Sequence, residues 1–154
     1  YSLVKGGFDP KDKFWVASSL VDTVFEGKHG GIVKTVKGKE LVGLKYKSVF
    51  DGLPAVEKAR KDSPELFHSV VPTDSFLMPI SMEEGTGMVH TAVSAGEEDF
   101  KLGKKLGLPM IPVIADNADY LQGFGEFSGK NAKNDPRIIL DYMEEMEKKD
   151  GIGL

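Results

Sequence analysis

The chain has 154 residues, a length that suits one domain with its own hydrophobic core. Hydrophobic residues make up 40% and charged residues 29%, as in ordinary globular proteins, and the absence of cysteine excludes disulfides and thiolate metal sites. A net charge of −4 argues against nucleic-acid binding that relies on phosphate neutralisation alone, so any such contact would be local or would need another domain.

The chain begins at Tyr1 rather than at a methionine, and we expect residues 1–154 to be a single domain of a larger protein. No apolar run approaches the roughly 20 residues needed to span a bilayer. No signal-peptide pattern is present either. We therefore expect no membrane partner.

The first part of the chain predicts three strands and one short helix. The strands are expected at residues 1–4, 14–17 and 32–36. Gly6-Gly7 and Asp9-Pro10 are strong turn signals between the first two. Ser18 or Ser19 is expected to cap the helix, which Gly27 ends.

The middle of the chain gives weaker patterns. A turn at residues 37–39 leads into an ambiguous segment at 40–46, and the prolines and charges of residues 53–68 predict an exposed, partly helical excursion. Ordered segments are expected to return at residues 69–71 and 76–80. A glycine turn at 83–87 is then followed by a predicted strand at 88–93.

The last third begins with a predicted helix at residues 97–106, which Gly107 stops. An irregular edge strand at 110–114 and a polar loop at 116–129 follow. Asp135 and Pro136 are expected to start the final helix. Its apolar face is formed by Ile138, Ile139, Tyr142, Met143 and Met146. Many short strands with interspersed helices predict an α+β fold whose mixed sheet curls toward a barrel.

Residues 85–100 carry the best candidate for a functional site. They combine a glycine turn, the predicted strand at 88–93, a turn of small residues and an acidic helix start. His90 and Asp99 make a candidate polar pocket. However, acids at a helix start are also favoured by the helix dipole and the free amides, and a lone histidine on a strand is commonly structural. From the residues alone, both interpretations stay open.

Five segments together resemble the editing domain that is inserted into class I isoleucyl-tRNA synthetases. They are KGKELVGLKY at 37–46, GTGMVHTA at 85–92, GEEDF at 96–100, GKKLGLP at 103–109 and FSGKNAK at 127–133. The similarity covers most of the chain, and residues 53–68 match least. The related valyl and leucyl enzymes do not usually have histidine at the position of His90, so the pattern favours the isoleucyl enzymes.

The resemblance implies an editing reaction that acts as a second sieve. A hydrophobic synthetic site rejects a side chain one methylene smaller by only ~10- to 200-fold, and valine against isoleucine is the known case of this limit. The editing site would therefore hydrolyse the ester between valine and tRNA(Ile), largely by positioning water and substrate. By resemblance, Asp99 is catalytic and binds the α-ammonium, while His90 excludes isoleucine by size. The other implied substrate-binding positions are Thr86, Gly87, Thr91, Ala92 and Gly96.

The resemblance also implies the setting of this reaction. The partners would be the 3′ end of tRNA(Ile) carrying a misattached amino acid and the rest of the parent synthetase in cis, in the cytoplasm. No cofactor or metal is expected in this domain, because ATP and magnesium serve the catalytic domain of the parent enzyme.

Two departures and two alternatives accompany this interpretation. The family's threonine-rich segment, which lies just upstream and completes the editing pocket, is not among these residues, and Val93 stands where many relatives have proline. One alternative is a non-catalytic module that binds the tRNA acceptor end. Its basic stretch would comprise Lys34, Lys37, Lys39, Lys45 and Lys47. The other alternative, a free-standing hydrolase of small esters, is disfavoured by the fragment-like start.

Overall fold

Three short strands form an open antiparallel sheet in the computed structural model, which describes residues 1–7, 9 and 11–150. The strands are β1 (Ser2–Lys5), β2 (Lys13–Val16) and β3 (Ile32–Thr35), and β1 lies between the other two. A register shift falls between Leu3 and Val4, where β1 pairs with β3. All three predicted strands are confirmed to within one residue. Of the turn signals between β1 and β2, Pro10 lies outside the described residues.

The α+β class is confirmed, but the prediction of a mixed, barrel-like sheet is wrong. The sheet is antiparallel throughout, and the described residues form no closed barrel. Residues 88–93, predicted as a strand, pair with no other strand, and residues 76–80 begin in a turn closed by the Met78 amide on the Asp74 carbonyl. Residues 69–71 and 110–114 contribute only isolated bridges. A β-prone sequence indicates only that a segment suits a pleated, half-buried surface, and it does not supply a partner strand.

Within the described part of the chain, four α-helices accompany the sheet: α1 (Val21–Val24), α2 (Pro54–Asp62), α3 (Glu97–Leu106) and α4 (Ile138–Asp150). Single 3₁₀ turns occur at Ser18–Leu20, Gly38–Glu40 and Gly125–Phe127. Helix α3 is confirmed at both ends, and Gly107 stops it in the left-handed conformation with φ of 69°.

The predicted starts of the first and the last helix are less accurate than the predicted residues inside those helices. No serine side chain caps the first helical turn, because the Ser18 hydroxyl lies 2.9 Å from the Ser2 hydroxyl instead. Helix α4 begins at Ile138, two residues after Pro136, which lies in the preceding turn. Its apolar face is buried or half-buried as predicted.

Two hydrophobic clusters make up the core. The N-terminal cluster joins β1, β2 and α1 and comprises Val4, Val16, Ala17, Leu20 and Val21. The C-terminal cluster joins α2, α4 and the loops between α3 and α4, and comprises Leu53, Val56, Phe67, Tyr120, Phe124, Phe127 and Ile138. Phe127, which is 1% exposed, packs edge-on against Tyr142 of α4 at 5.0 Å between ring centroids.

The prediction that residues 53–68 form an exposed, partly helical excursion is only partly correct. Their partly helical character is confirmed by α2. However, Leu53, Val56 and Phe67 are buried in the C-terminal cluster, and only the outer face of the segment is exposed. The prolines and charges that suggested a loop lie on that outer face or at the ends of the helix.

Candidate functional site

The glycine turn at residues 85–87 is fastened to the N-terminal cluster. The Ala17 amide donates to the Thr86 carbonyl at 2.8 Å, and the Tyr1 hydroxyl donates to the Gly87 carbonyl at 2.6 Å. Gly87 has φ of +72°, and a Cβ atom there would lie 2.5 Å from the Ala17 Cβ. Glycine is therefore required at this position both by backbone conformation and by the close approach of Ala17.

An open groove of about 270 Å³ runs beside this turn. Thr86 stands on its wall, where its hydroxyl and the Met88 backbone lie within 3.3 Å of each other. The groove is lined by Pro79, Ile80, Ser81, Glu84, Gly85, Thr86, Gly87, Met88 and Val89. Of the predicted site residues, it thus contains Thr86 and Gly87.

Asp99 lies at the start of α3 and reaches back over the preceding turn. Its Oδ2 accepts a hydrogen bond from the Ala92 amide at 3.0 Å, and it crowds Gly96, whose ideal Cβ would be 3.1 Å from Oδ2. Its other oxygen, Oδ1, accepts no hydrogen bond from any described residue. The carboxylate is therefore anchored to the Ala92 backbone through one of its two oxygens.

His90 and Thr91 lie between the groove and Asp99 along the chain. His90 is exposed, and the half-buried Thr91 hydroxyl contacts the Met78 sulfur at 3.8 Å. The structure therefore brings the predicted residues together in two sets: Thr86 and Gly87 at the groove, and Ala92, Gly96 and Asp99 around the start of α3. Neither His90 nor Asp99 lines the groove.

A second polar cluster was missed by the sequence analysis. Asp51 Oδ1 lies 2.9 Å from His68 Nδ1, and Asp51 Oδ2 lies 2.9 Å from an Arg60 guanidinium nitrogen. His68, with φ of 40°, stacks on the Tyr46 ring at 4.8 Å between centroids. Burial lowers the pKa of His68 despite the Asp51 charge, and His90 is near enough to lower it further. Burial, and then Asp51, raise the pKa of Tyr46.

No local sequence signal could have identified this cluster. Asp51 and His68 are far apart in sequence and meet only because α2 folds between them against the C-terminal cluster. The charges of this segment resemble those of an ordinary solvated helix face, which is why it was interpreted as exposed.

Known proteins provide the decisive comparison. No protein-family model matches the chain. The isoleucine-tRNA ligases of Pyrococcus horikoshii and Pyrococcus abyssi are each 38% identical to it over 148 residues, which is 94% of this chain and 13% of theirs. The isoleucine-tRNA ligase of Methanocaldococcus jannaschii is 38% identical over 154 residues, 94% of this chain and 14% of that one. The chain is a homologous segment of the isoleucine-tRNA ligase family. The resemblance to isoleucyl-tRNA synthetases is thereby confirmed.

The predicted basic stretch comprises five lysines, two of which have partners within the domain. These two are Lys45 and Lys34. The Lys45 ammonium is used internally, donating to the carbonyls of Pro64, Glu65 and Phe67, and the Lys34 ammonium lies 5.3 Å from the centroid of Trp15. This arrangement weakens the alternative of a continuous basic surface that binds tRNA without chemistry.

The described part of this segment holds no group of three or more histidine, aspartate or glutamate side chains arranged to bind a metal ion. None of its helices there combines the length and the apolar character required to cross a membrane.

Proposed function

We propose that this domain is the editing domain of an isoleucine-tRNA ligase and that it hydrolyses the ester linking valine to the terminal ribose of tRNA(Ile). The observation that carries the proposal is the match of 94% of this chain to a segment only 13% as long as the relatives it matches. That match supports descent from an isoleucine-tRNA ligase, and residues 85–100 contain an acidic group, Asp99, for such a reaction.

The chemistry assigned to Asp99 follows from its two oxygens. Oδ2 is anchored by the Ala92 amide, so Oδ1 would accept a hydrogen bond from the α-ammonium of the misattached amino acid. This contact would hold the ester carbonyl in place for attack by water. The carbonyl carbon then gains the water oxygen, the bond to the ribose oxygen breaks, and the ribose hydroxyl leaves with a proton. Free valine and uncharged tRNA are the products.

Selectivity is assigned to the side chains around this group. We infer that His90 limits the length of the amino-acid side chain, so that valine fits and isoleucine does not. Thr86 and Gly87 would contact the substrate from the glycine turn, and Thr91, Ala92 and Gly96 from the approach to α3. The partners are then the 3′ end of tRNA(Ile) and the remainder of the synthetase, in the cytoplasm.

The test of catalysis is Asp99→Ala in the full-length protein, with hydrolysis of valyl-tRNA(Ile) as the measurement. Loss of a hydrogen bond between charged groups predicts a rate reduction of about 10- to 150-fold or more. Glu98→Ala is the matched control, because it removes the same charge from the adjacent, exposed position of α3. Clearance of valyl-tRNA at the normal rate by Asp99→Ala, with isoleucine charging intact in both variants, would remove the assigned role.

The test of selectivity is His90→Ala in the same protein. Shortening this side chain should allow the correctly charged isoleucyl-tRNA(Ile) to enter and be hydrolysed. His29→Ala is the control, since His29 lies beside Phe25 of the N-terminal cluster. If isoleucyl-tRNA remains intact with His90→Ala while valyl-tRNA is still cleared, His90 does not set the size limit.

A further inference from the structure

A short stack of rings lies outside the residues assigned to the reaction. The Tyr46 ring stacks on the His68 ring at 4.8 Å between centroids and 14° between planes, and His68 in turn stacks on Phe67 at 3.9 Å and 26°. Phe67 is buried in the C-terminal cluster, whereas Tyr46 is 47% exposed. The stack therefore runs from the core to the surface and ends in a flat, accessible ring.

The Tyr46 backbone is hydrogen-bonded to the same residue on which the Tyr46 ring stacks. The Tyr46 amide donates to the His68 carbonyl at 3.1 Å, within a short ribbon that also contains the Lys45–Ser69 bridge. Asp51 Oδ1 lies 2.9 Å from His68 Nδ1, although neither atom makes a hydrogen bond, and Asp51 Oδ2 lies 2.9 Å from Arg60. Because the ring already stacks on His68 and its backbone is paired, a ligand that stacks on it meets a smaller ordering cost.

The surroundings of Tyr46 combine apolar and cationic character. Leu44 is 45% exposed, and the exposed Lys47 forms no ion pair with any described residue. An exposed aromatic ring, adjacent in sequence to an exposed lysine without an ion pair among the described residues, fits a nucleotide, whose base stacks and whose phosphate is anionic. A purely apolar partner would leave the lysine unmatched.

We propose that Tyr46 is a stacking platform for an unpaired base of single-stranded RNA. If the proposed function holds, on which the choice of this RNA rests, the base belongs to the 3′ end of tRNA(Ile). The platform would hold the strand as its charged end enters the editing site.

The experiment measures binding of a short single-stranded RNA with the sequence of the tRNA 3′ end, carrying the fluorescent adenine analogue 2-aminopurine, to the full-length protein. Stacking quenches this fluorophore. Tyr46→Leu should lose most of the quenching and weaken binding by about 5- to 150-fold, the range that corresponds to one base stacked on an aromatic ring. Tyr46→Phe and Tyr46→Trp should keep both, because they keep the ring.

Phe76→Leu is the matched control, since Phe76 is 96% exposed and contacts no other ring among the described residues. Quenching and affinity unchanged by Tyr46→Leu, or lost equally with Tyr46→Trp, would overturn the proposal and would favour a protein partner for this surface. The RNA carries no ester, so the result does not depend on hydrolysis. A failure here leaves the Asp99→Ala test untouched, and the converse also holds.

Discussion

Gly87→Ala offers a sharp test of how the glycine turn is held against the rest of the domain. The new methyl group would lie 2.5 Å from the Ala17 Cβ, while the backbone would have to keep φ of +72°. Gly85 has a similar φ of +67°, but its added Cβ would meet nothing within 4 Å. The two substitutions thus share the backbone strain and differ in the clash.

The expected magnitudes follow from this difference. A left-handed alanine costs about 1–2 kcal/mol, and this is offset by about 0.4–1 kcal/mol because alanine also restricts the unfolded chain. Gly85→Ala should therefore lower the free energy of unfolding by about 0–1.6 kcal/mol. Gly87→Ala adds overpacking of about 1–3 kcal/mol. At about 2–4 °C per kcal/mol for a chain of this size, the clash should lower Tm by a further ~2–12 °C.

The assay is urea unfolding of the 154-residue chain, followed by the fluorescence of its single tryptophan, Trp15. Trp15 lies on β2, two residues before Ala17, so it reports on the affected region. Ala17→Gly removes the atom that clashes, and it should reduce the difference between Gly87→Ala and Gly85→Ala. Equal destabilisation by the two alanine substitutions, with no rescue by Ala17→Gly, would refute the packing of the turn on the N-terminal cluster.

Three further predictions concern a buried core residue, a histidine with a shifted pKa and a hydrogen-bonded lysine. Phe127→Ala should destabilise the chain by about 3–5 kcal/mol, because it empties a fully buried site against α4, as thermal unfolding would show. Since burial lowers the pKa of His68 below its ordinary value of about 6.5, the unfolded chain binds this proton more readily, and stability should fall as pH drops through that region. His68→Asn should reduce that part of the pH dependence, as urea midpoints at pH 7.5 and 5.5, about one unit on either side, would show. Lys45→Met should loosen residues 64–67, whose carbonyls lose three donors, and hydrogen exchange there would increase.

Local sequence patterns predicted much of the secondary structure of this protein. An acidic helix start and a following glycine placed α3 to the residue, and β-prone residues with turn signals placed β1, β2 and β3. These features depend on neighbours a few residues away, and such neighbours are visible in the sequence. Five segments between residues 37 and 133, taken together, also indicated the family, which the relatives confirm.

Only the tertiary structure decided which segments pair with another strand and which contribute side chains to the core. Residues 88–93 have the composition of a strand but no neighbouring strand, and residues 53–68 look solvated but contribute Phe67 to the core. The Asp51–His68 pair and the Tyr46 stack likewise depend on contacts between distant residues. Burial and pairing between distant segments are properties of the whole packed chain, so no local window could contain them.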